Sequence, residues 1–136
     1  MELPGDPGDH MEALLRFLLP SAQQAIDRAG GFLPFGASMA SDGEVQVLDP
    51  GVGGSEQEQL DSLREDARVH AGSLLAVGIC TDVTVTRGAF PEAIRVELEH
   101  RDAGPVTWLL PYRNTDDELT WGDQVPMPGE PRTWNA

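Results

Sequence analysis

Two stretches of the chain carry apolar residues at helical spacing. The first predicts an amphipathic helix whose apolar positions are Met11, Leu14, Leu15, Leu18, Ala22, Ala25, Ile26 and Ala29. Asp9 is expected to cap this helix, and Gly30 to end it with Gly31. Pro20 falls inside the pattern, so we expect the helix to kink or restart there.

The second helical stretch follows a glycine-rich connection. Ser55 and Glu58 stand at capping-box spacing, and an apolar stripe follows at Leu60, Leu63, Ala67 and Ala71. This pattern predicts a helix over residues 56 to 71, with His70 near the dipole at its C-terminal end.

The remaining apolar segments have the patterns of β-strands. Residues 35–39 and 45–48 alternate around Ser41-Asp42-Gly43, which predicts a β-hairpin. Residues 74–79 are nearly continuously apolar, as in a strand covered on both faces. Two later runs, 106–112 and 119–121, are also rich in strand-forming residues.

The clearest strand lies between these segments. Apolar and charged residues alternate strictly from residue 94 to residue 101. We expect Ile94, Val96 and Leu98 to point into the core and the charged residues between them, including Glu97 and Glu99, to form a solvated face.

The elements follow the order α-β-β-α-β-β-β, which favours an α+β fold. We expect a mainly antiparallel sheet of about five strands with two helices on one face. Residues 1–9 are expected to be a disordered tail, residues 10–122 a single α+β domain, and residues 123–136 a proline-rich extended segment. Trp134 is expected to dock its ring on the domain and hold this last segment in place.

The charge balance narrows the classes of partner. The chain has 9 basic and 23 acidic residues, a formal net charge of -14. Such a surface repels phosphates and anionic lipids, so neither a nucleic acid nor a membrane is predicted as a partner. Every basic residue is an arginine, which excludes Schiff-base chemistry and a Walker-type phosphate lysine.

Cysteine usage and hydropathy predict a cytoplasmic protein. Cys80 is the only cysteine, so an intramolecular disulfide is excluded. The N-terminal residues lack the basic and apolar pattern of a signal peptide, and no run of apolar residues reaches the length of a membrane span.

No motif for catalysis, metal binding or cofactor binding is found, and none of these is predicted. Cys80 lies in an apolar strand and is expected to be a buried structural residue. His10, His70 and His100 stand near three different elements rather than at metal-ligand spacing. His100 shares the inward side of its strand with Leu98, which places it at the rim of the core or of a concave surface.

One group of residues is a candidate surface for a ligand or a protein partner. The segments 32–35 and 111–113 combine aromatic residues, proline and arginine, as the centres of interfaces do. The candidate surface consists of Phe35, His100, Tyr112 and Arg113. The competing interpretation places the aromatic residues of both segments in the core.

Three short segments carry a resemblance to other proteins. GGFLPFGA (30–37), EAIRVELEH (92–100) and VTWLLPYR (106–113) resemble small uncharacterised bacterial proteins of one-domain length. This resemblance implies no activity and assigns no functional residue.

These observations lead to three functional hypotheses. The first is a non-enzymatic protein-interaction module, such as an adaptor, an immunity-like inhibitor or a chaperone-like protein, whose partner is a protein of basic charge. The alternative is a small-molecule-binding domain or minor enzyme with a pocket between the sheet and the first helix. The third is a homodimer formed through an exposed sheet edge or face.

Overall fold

The computed structural model describes residues 5–49, 53–85, 90–115 and 118–134. The described residues form two α-helices, a short 3₁₀ helix at Ala71–Ser73 and seven strands. In chain order the elements are α1 (Pro7–Ala29), β1 (Phe35–Ala40), β2 (Val45–Leu48), α2 (Glu56–Val69), β3 (Leu74–Thr84), β4 (Glu92–His100), β5 (Ala103–Thr115), β6 (Glu118–Trp121) and β7 (Val125–Pro128).

All seven strands belong to one antiparallel sheet, which confirms the α+β class. The order is β2-β1-β3-β4-β5-β6, and β7 also pairs with β5. The prediction of about five strands is therefore too low. The strand that the sequence did not suggest is β7, because Pro126 and Pro128 weigh against strand pairing outside a sheet edge.

The two helices pack on opposite faces of the sheet, so the prediction that both lie on one face is wrong. Leu14 and Leu18 of α1 lie over Gly78 of β3. The neighbouring Val77 and Ile79 belong to a second apolar cluster, which includes Leu60 and Leu63 of α2. Successive residues of a strand point to opposite faces, so β3 is covered by α1 on one side and by α2 on the other.

The ends of α1 differ in part from expectation. The N-cap is Asp6 rather than Asp9, and Asp9 instead completes the capping box as the third helical residue. The helix begins at Pro7, inside the segment predicted to be a tail, and it continues through the exposed Pro20. Gly30 ends it in the left-handed conformation with φ of 80°, as predicted.

The last described residues are attached to β4 by hydrogen bonds to a buried carboxylate. The backbone N–H groups of Arg132, Thr133 and Trp134 all donate to Glu99, at distances of 2.9–3.2 Å for Thr133. Trp134 packs against the apolar cluster beneath α2, which confirms its predicted docking. The outward face of β4 is thus covered by α2 and this segment, and the expectation that Glu97 and Glu99 are solvated is wrong.

Gly78 gives a first test, because α1 approaches β3 most closely there. A Cβ atom at residue 78 would lie 2.6 Å from Leu18 Cδ1 and 3.1 Å from Leu98 Cδ2, both fully or almost fully buried. We expect Gly78→Ala to lower the free energy of unfolding by about 1–3 kcal/mol in urea denaturation, since the core is already filled. Gly104→Ala in β5 is the control, because no atom lies within 4 Å of its added Cβ. An equal loss in both variants would contradict this account.

Candidate functional site

The structure does not bring the predicted surface residues together. Tyr112 is paired with Glu92 at the start of β4, whereas His100 is the last residue of that strand. Eight residues of strand separate these positions by about 26 Å. His100 and Tyr112 therefore lie at opposite ends of the sheet, with Arg113 next to Tyr112. Phe35 pairs with Cys80, which pairs with Val96, so Phe35 lies at a level midway between these two ends.

His100 is buried and contacts a second histidine from the far end of the sequence. Nδ1 of His10 lies 3.0 Å from Nε2 of His100, and the two rings lie edge to edge, with centroids 5.2 Å apart and 16° between their planes. The backbone N–H of Asp102 donates to Nδ1 of His100 at 3.0 Å. The pair fastens the first turn of α1 to the β4–β5 turn.

Tyr112 is fully buried and is paired with an acid on β3. Its hydroxyl donates to Oδ1 of Asp82 at 2.6 Å. Burial raises the pKa of the Asp82 carboxyl, and repulsion from Glu92 and Glu56 adds to this, while the bonds from Tyr112 and the Phe32 backbone act in the opposite direction. Burial also raises the pKa of the Tyr112 hydroxyl, and its bond to Asp82 raises it further.

The other two predicted surface residues have aromatic neighbours. Phe35 is partly buried against the α1-side core and meets the Phe32 ring edge to face, with centroids 5.4 Å apart. Arg113 is exposed, and its guanidinium lies 5.9 Å from the centre of the Phe90 ring.

The space between α1 and the sheet, where a pocket was predicted, is filled by core side chains. Leu14, Leu18, Ile26, Ile94 and Tyr112 are all fully buried in this layer. The larger described cavities lie instead along the outer flank of α1 and beside α2. The layer between α1 and the sheet therefore serves packing.

Cys80 belongs to the same core, as predicted. Its side chain is fully buried, and burial raises the pKa of the thiol to about 12. His70 caps α2, and its Nδ1 hydrogen bonds to the Asp66 carbonyl at 2.9 Å. In the described part of the chain, no three His, Cys, Asp or Glu side chains are grouped so that they could hold a metal ion.

Strand β2 lies at an edge of the sheet, a position that the sequence pattern alone does not reveal. Val45, Gln46 and Val47 are exposed, and among the described strands only β1 pairs with β2. The exposed fraction is 36% for Val45 and 59% for Val47. One valine of this strand thus lies largely in solvent and the other partly so.

The register of the hairpin determines which backbone groups of β2 are unpaired. The N–H of Ala40 donates to the carbonyl of Glu44, so residues 46 and 48 also form hydrogen-bonded pairs with β1. Val45 and Val47 occupy the alternate positions. Their N–H and C=O groups therefore point away from β1, toward the open edge.

The side chains of Val45 and Val47 point to the same face as α1. Their β1 partners Met39 and Ala37 belong to the α1-side core. Phe17, 45% exposed, precedes Leu18, which lies over Gly78. Gly78 pairs with Ala37 and Ala37 with Val47, so Phe17 and Val47 lie at the same level along the sheet.

Phe17 also lies on the flank of α1 that faces β1 and β2. The opposite flank, which includes Leu15, Leu19 and Gln23, lines a cavity with Gln124 just before β7. Helical spacing places Phe17 on the other side of the helix from these residues. We call the combination of Phe17, Val45 and Val47 with the open strand the β2 edge surface.

The far edge of the sheet also carries exposed apolar side chains, Val125 at 49% and Met127 at 43%, but it lacks the outward backbone donors of β2. Strands β6 and β7 share that edge beside β5. Leu119 and Trp121 of β6 pack against the core. Pro126 and Pro128 of β7 have no N–H group and cannot donate to an added strand.

Comparison of the chain with protein-family models, curated proteins and solved structures finds no match. The resemblance to small uncharacterised bacterial proteins stays a prediction. Neither of the described helices is both long enough and apolar enough to cross a membrane.

The raised pKa of Asp82 predicts a defined pH dependence of stability. The folded state holds the proton of this carboxyl more tightly than the unfolded state, so its contribution to stability falls as pH rises from about 4 through the raised pKa. The variant Asp82→Asn has no proton to lose at this position, and its amide oxygen could still accept from Tyr112. The stability of Asp82→Asn relative to the wild type should therefore rise over this pH range, as measured by urea unfolding at each pH.

The control for this experiment is Asp27→Asn, since Asp27 is exposed on α1. Its stability relative to the wild type should change little with pH. A relative stability of Asp82→Asn that stays constant or falls as pH rises would show that the folded state does not hold this proton more tightly.

Proposed function

We propose that this chain is a non-enzymatic protein-interaction module, which binds an extended segment of a basic partner protein as an additional strand beside β2. The observation that carries the proposal is the open, apolar edge of β2. The N–H and C=O groups of Val45 and Val47 are directed outward at exposed positions. An added antiparallel strand would pair with these four groups, which is the mechanism of β-augmentation.

The side chains beside this edge supply a second part of the recognition. Alternate residues of an added strand point to the same face as Val45 and Val47. Apolar residues at those positions would contact Phe17 and Val47, which are 45% and 59% exposed. Burying such surfaces removes apolar area from water and contributes to affinity at about 25 cal/mol per Å² before the costs of binding.

Charge favours a basic partner. Asp42, Glu44 and Asp49 are exposed in and around β2, and residues 40–49 contain no basic residue. The whole chain has a formal net charge of -14. A positively charged segment would be steered to this edge, and the attraction would weaken as salt screens it.

The same charges weigh against a second copy of the chain as the occupant. An antiparallel pairing of two β2 strands would bring the acidic residues of both hairpins together, and each copy would carry a net charge of -14. Like charges across a strand pair are destabilising. A heterologous partner therefore suits the surface better than a homodimer.

The first test concerns the edge itself and uses amide hydrogen exchange of the free protein. The amides of Val45 and Val47 should exchange at least about tenfold faster than that of Gln46, because only the latter is bonded to β1. Equal protection of all three amides would mean that the outer edge of β2 is already paired or covered, and the proposal would fail.

The second test removes one outward donor. Val47→Pro deletes the N–H that faces the open edge while leaving the bonds to β1, whereas Val47→Thr keeps it. A partner would be captured from host lysate with the tagged wild type and purified, and its dissociation constant would then be measured with each protein. We expect Val47→Pro to weaken binding about tenfold or more and Val47→Thr to have a much smaller effect.

Three further measurements complete this test. The melting temperatures of both variants should stay close to that of the wild type, and added salt should weaken the complex. Sedimentation should show a monomer in the absence of the partner. An empty eluate, a partner that binds Val47→Pro as tightly as the wild type, or a stable homodimer abolished by this substitution would each overturn the proposal.

A further inference from the structure

A cavity lies on the other face of the sheet, between the first turn of α2 and strands β3 and β4. Its volume is about 200 Å³, and it is lined by Pro34, Glu56, Gln57, Leu60, Thr81, Asp82, Val83 and Arg95. Clefts for drug-sized ligands begin at about 300 Å³, so this cavity suits a small metabolite. It shares no residue with the β2 edge surface.

Two polar atoms of the residues that line this cavity are buried without a partner. Thr81 is only 5% exposed, and its Oγ1 has no hydrogen-bond partner among the described residues. The same is true of Nε of Arg95. Thr81 and Arg95 are directly paired across β3 and β4 and so share one face. Leaving two such groups unpaired is costly in a folded protein, which makes them candidates for binding a ligand.

Both of these groups can donate a hydrogen bond, so the ligand atom that fits them is a negatively charged oxygen. Nε of arginine can only donate, and a threonine hydroxyl can donate to the same acceptor. Arg95 is paired with Glu97, which also pairs with Arg64 and Arg132, and these two arginines pair in addition with Asp61 and Glu130. The Nε–H group of Arg95 remains without an acceptor among the described residues. A carboxylate is the ligand group that best fits this end of the cavity.

The cavity wall also carries negative charge. Glu56 and Asp82 are both lining residues, but the Asp82 carboxyl points to the α1 side of the sheet, where it accepts from Tyr112. Glu56 therefore supplies the acidic group on the α2 side, and a cationic group of a ligand would be attracted to it. The Glu56 charge also weighs against a phosphate dianion in the same space. The wall further includes the apolar side chains of Pro34, Leu60 and Val83.

We infer that this cavity binds a free α-amino acid with a small apolar side chain. Its carboxylate accepts hydrogen bonds from Arg95 Nε and Thr81 Oγ1, and its ammonium group lies toward Glu56. The apolar side chain contacts Leu60 and Val83. Both charges of the zwitterion are then matched by the wall, which a simple carboxylate or a simple amine would achieve only in part.

Three probe compounds test the two halves of this recognition separately. L-leucine has both charged groups, 4-methylpentanoate has only the carboxylate, and 3-methylbutylamine has only the ammonium. Each would be titrated to about 10 mM into the ¹⁵N-labelled full chain, a range that detects millimolar binding. We expect leucine to shift the amide signals of Gln57, Thr81 and Arg95 and to bind about tenfold more tightly than either single-charge compound.

Variants then assign the binding to the two unpaired atoms. Thr81→Val removes the hydroxyl at constant shape, and Arg95→Lys removes the Nε donor but keeps the charge beside Glu97. Each should weaken leucine binding about tenfold, whereas Thr107→Val, at a buried threonine on the neighbouring strand β5, should not. The melting temperature of Thr81→Val should be unchanged or higher, because the deleted hydroxyl has no partner in the protein.

Several results would overturn this inference. They are the absence of leucine-induced shifts at Thr81 and Arg95, equal affinity for leucine and 4-methylpentanoate, and unchanged leucine binding by Thr81→Val. A marked fall in the melting temperature of Thr81→Val would also do so, since it would show that the hydroxyl is bonded within the protein. None of these results bears on the β2 edge, so the two proposals fail independently.

Discussion

The rest of the fold depends on the burial of both faces of β3. Its residues Leu74 to Cys80 are all buried, and the sheet has to be covered on two sides to achieve this. On one side Ala76 and Gly78 are small, which lets α1 approach the strand closely. On the other side the larger Val77 and Ile79 meet α2. The three layers follow from this central strand.

The sequence predicted the elements better than their arrangement. Periodicity and capping residues identified both helices, the Asp-Gly hairpin and the alternation of β4, because these signals are local. The placement of the helices was missed although the continuous apolar run of β3 pointed to two covered faces. The alternating charges of β4 suggested a solvated face, whereas partners distant in sequence bury Glu99 and cover most of Glu97.

The candidate sites were harder to predict, because they too are formed by residues that are distant in sequence. His10 meets His100 across 90 residues, and Tyr112 meets Asp82 across 30. No spacing rule links such residues, since the sheet register brings them together. The two proposed binding sites likewise depend on the three-dimensional arrangement and not on local sequence. The outward groups of Val47 depend on hairpin register, and the unpaired Thr81 hydroxyl depends on what α2 leaves uncovered.

The histidine pair has a consequence for proton positions. Because the Asp102 N–H donates to Nδ1 of His100, that nitrogen carries no proton, and the neutral ring bears its hydrogen on Nε2. This hydrogen is then donated to Nδ1 of His10, so the hydrogen of the neutral His10 ring lies on Nε2 as well. One peptide N–H in the β4–β5 turn thereby selects the tautomer of a ring in the first turn of α1.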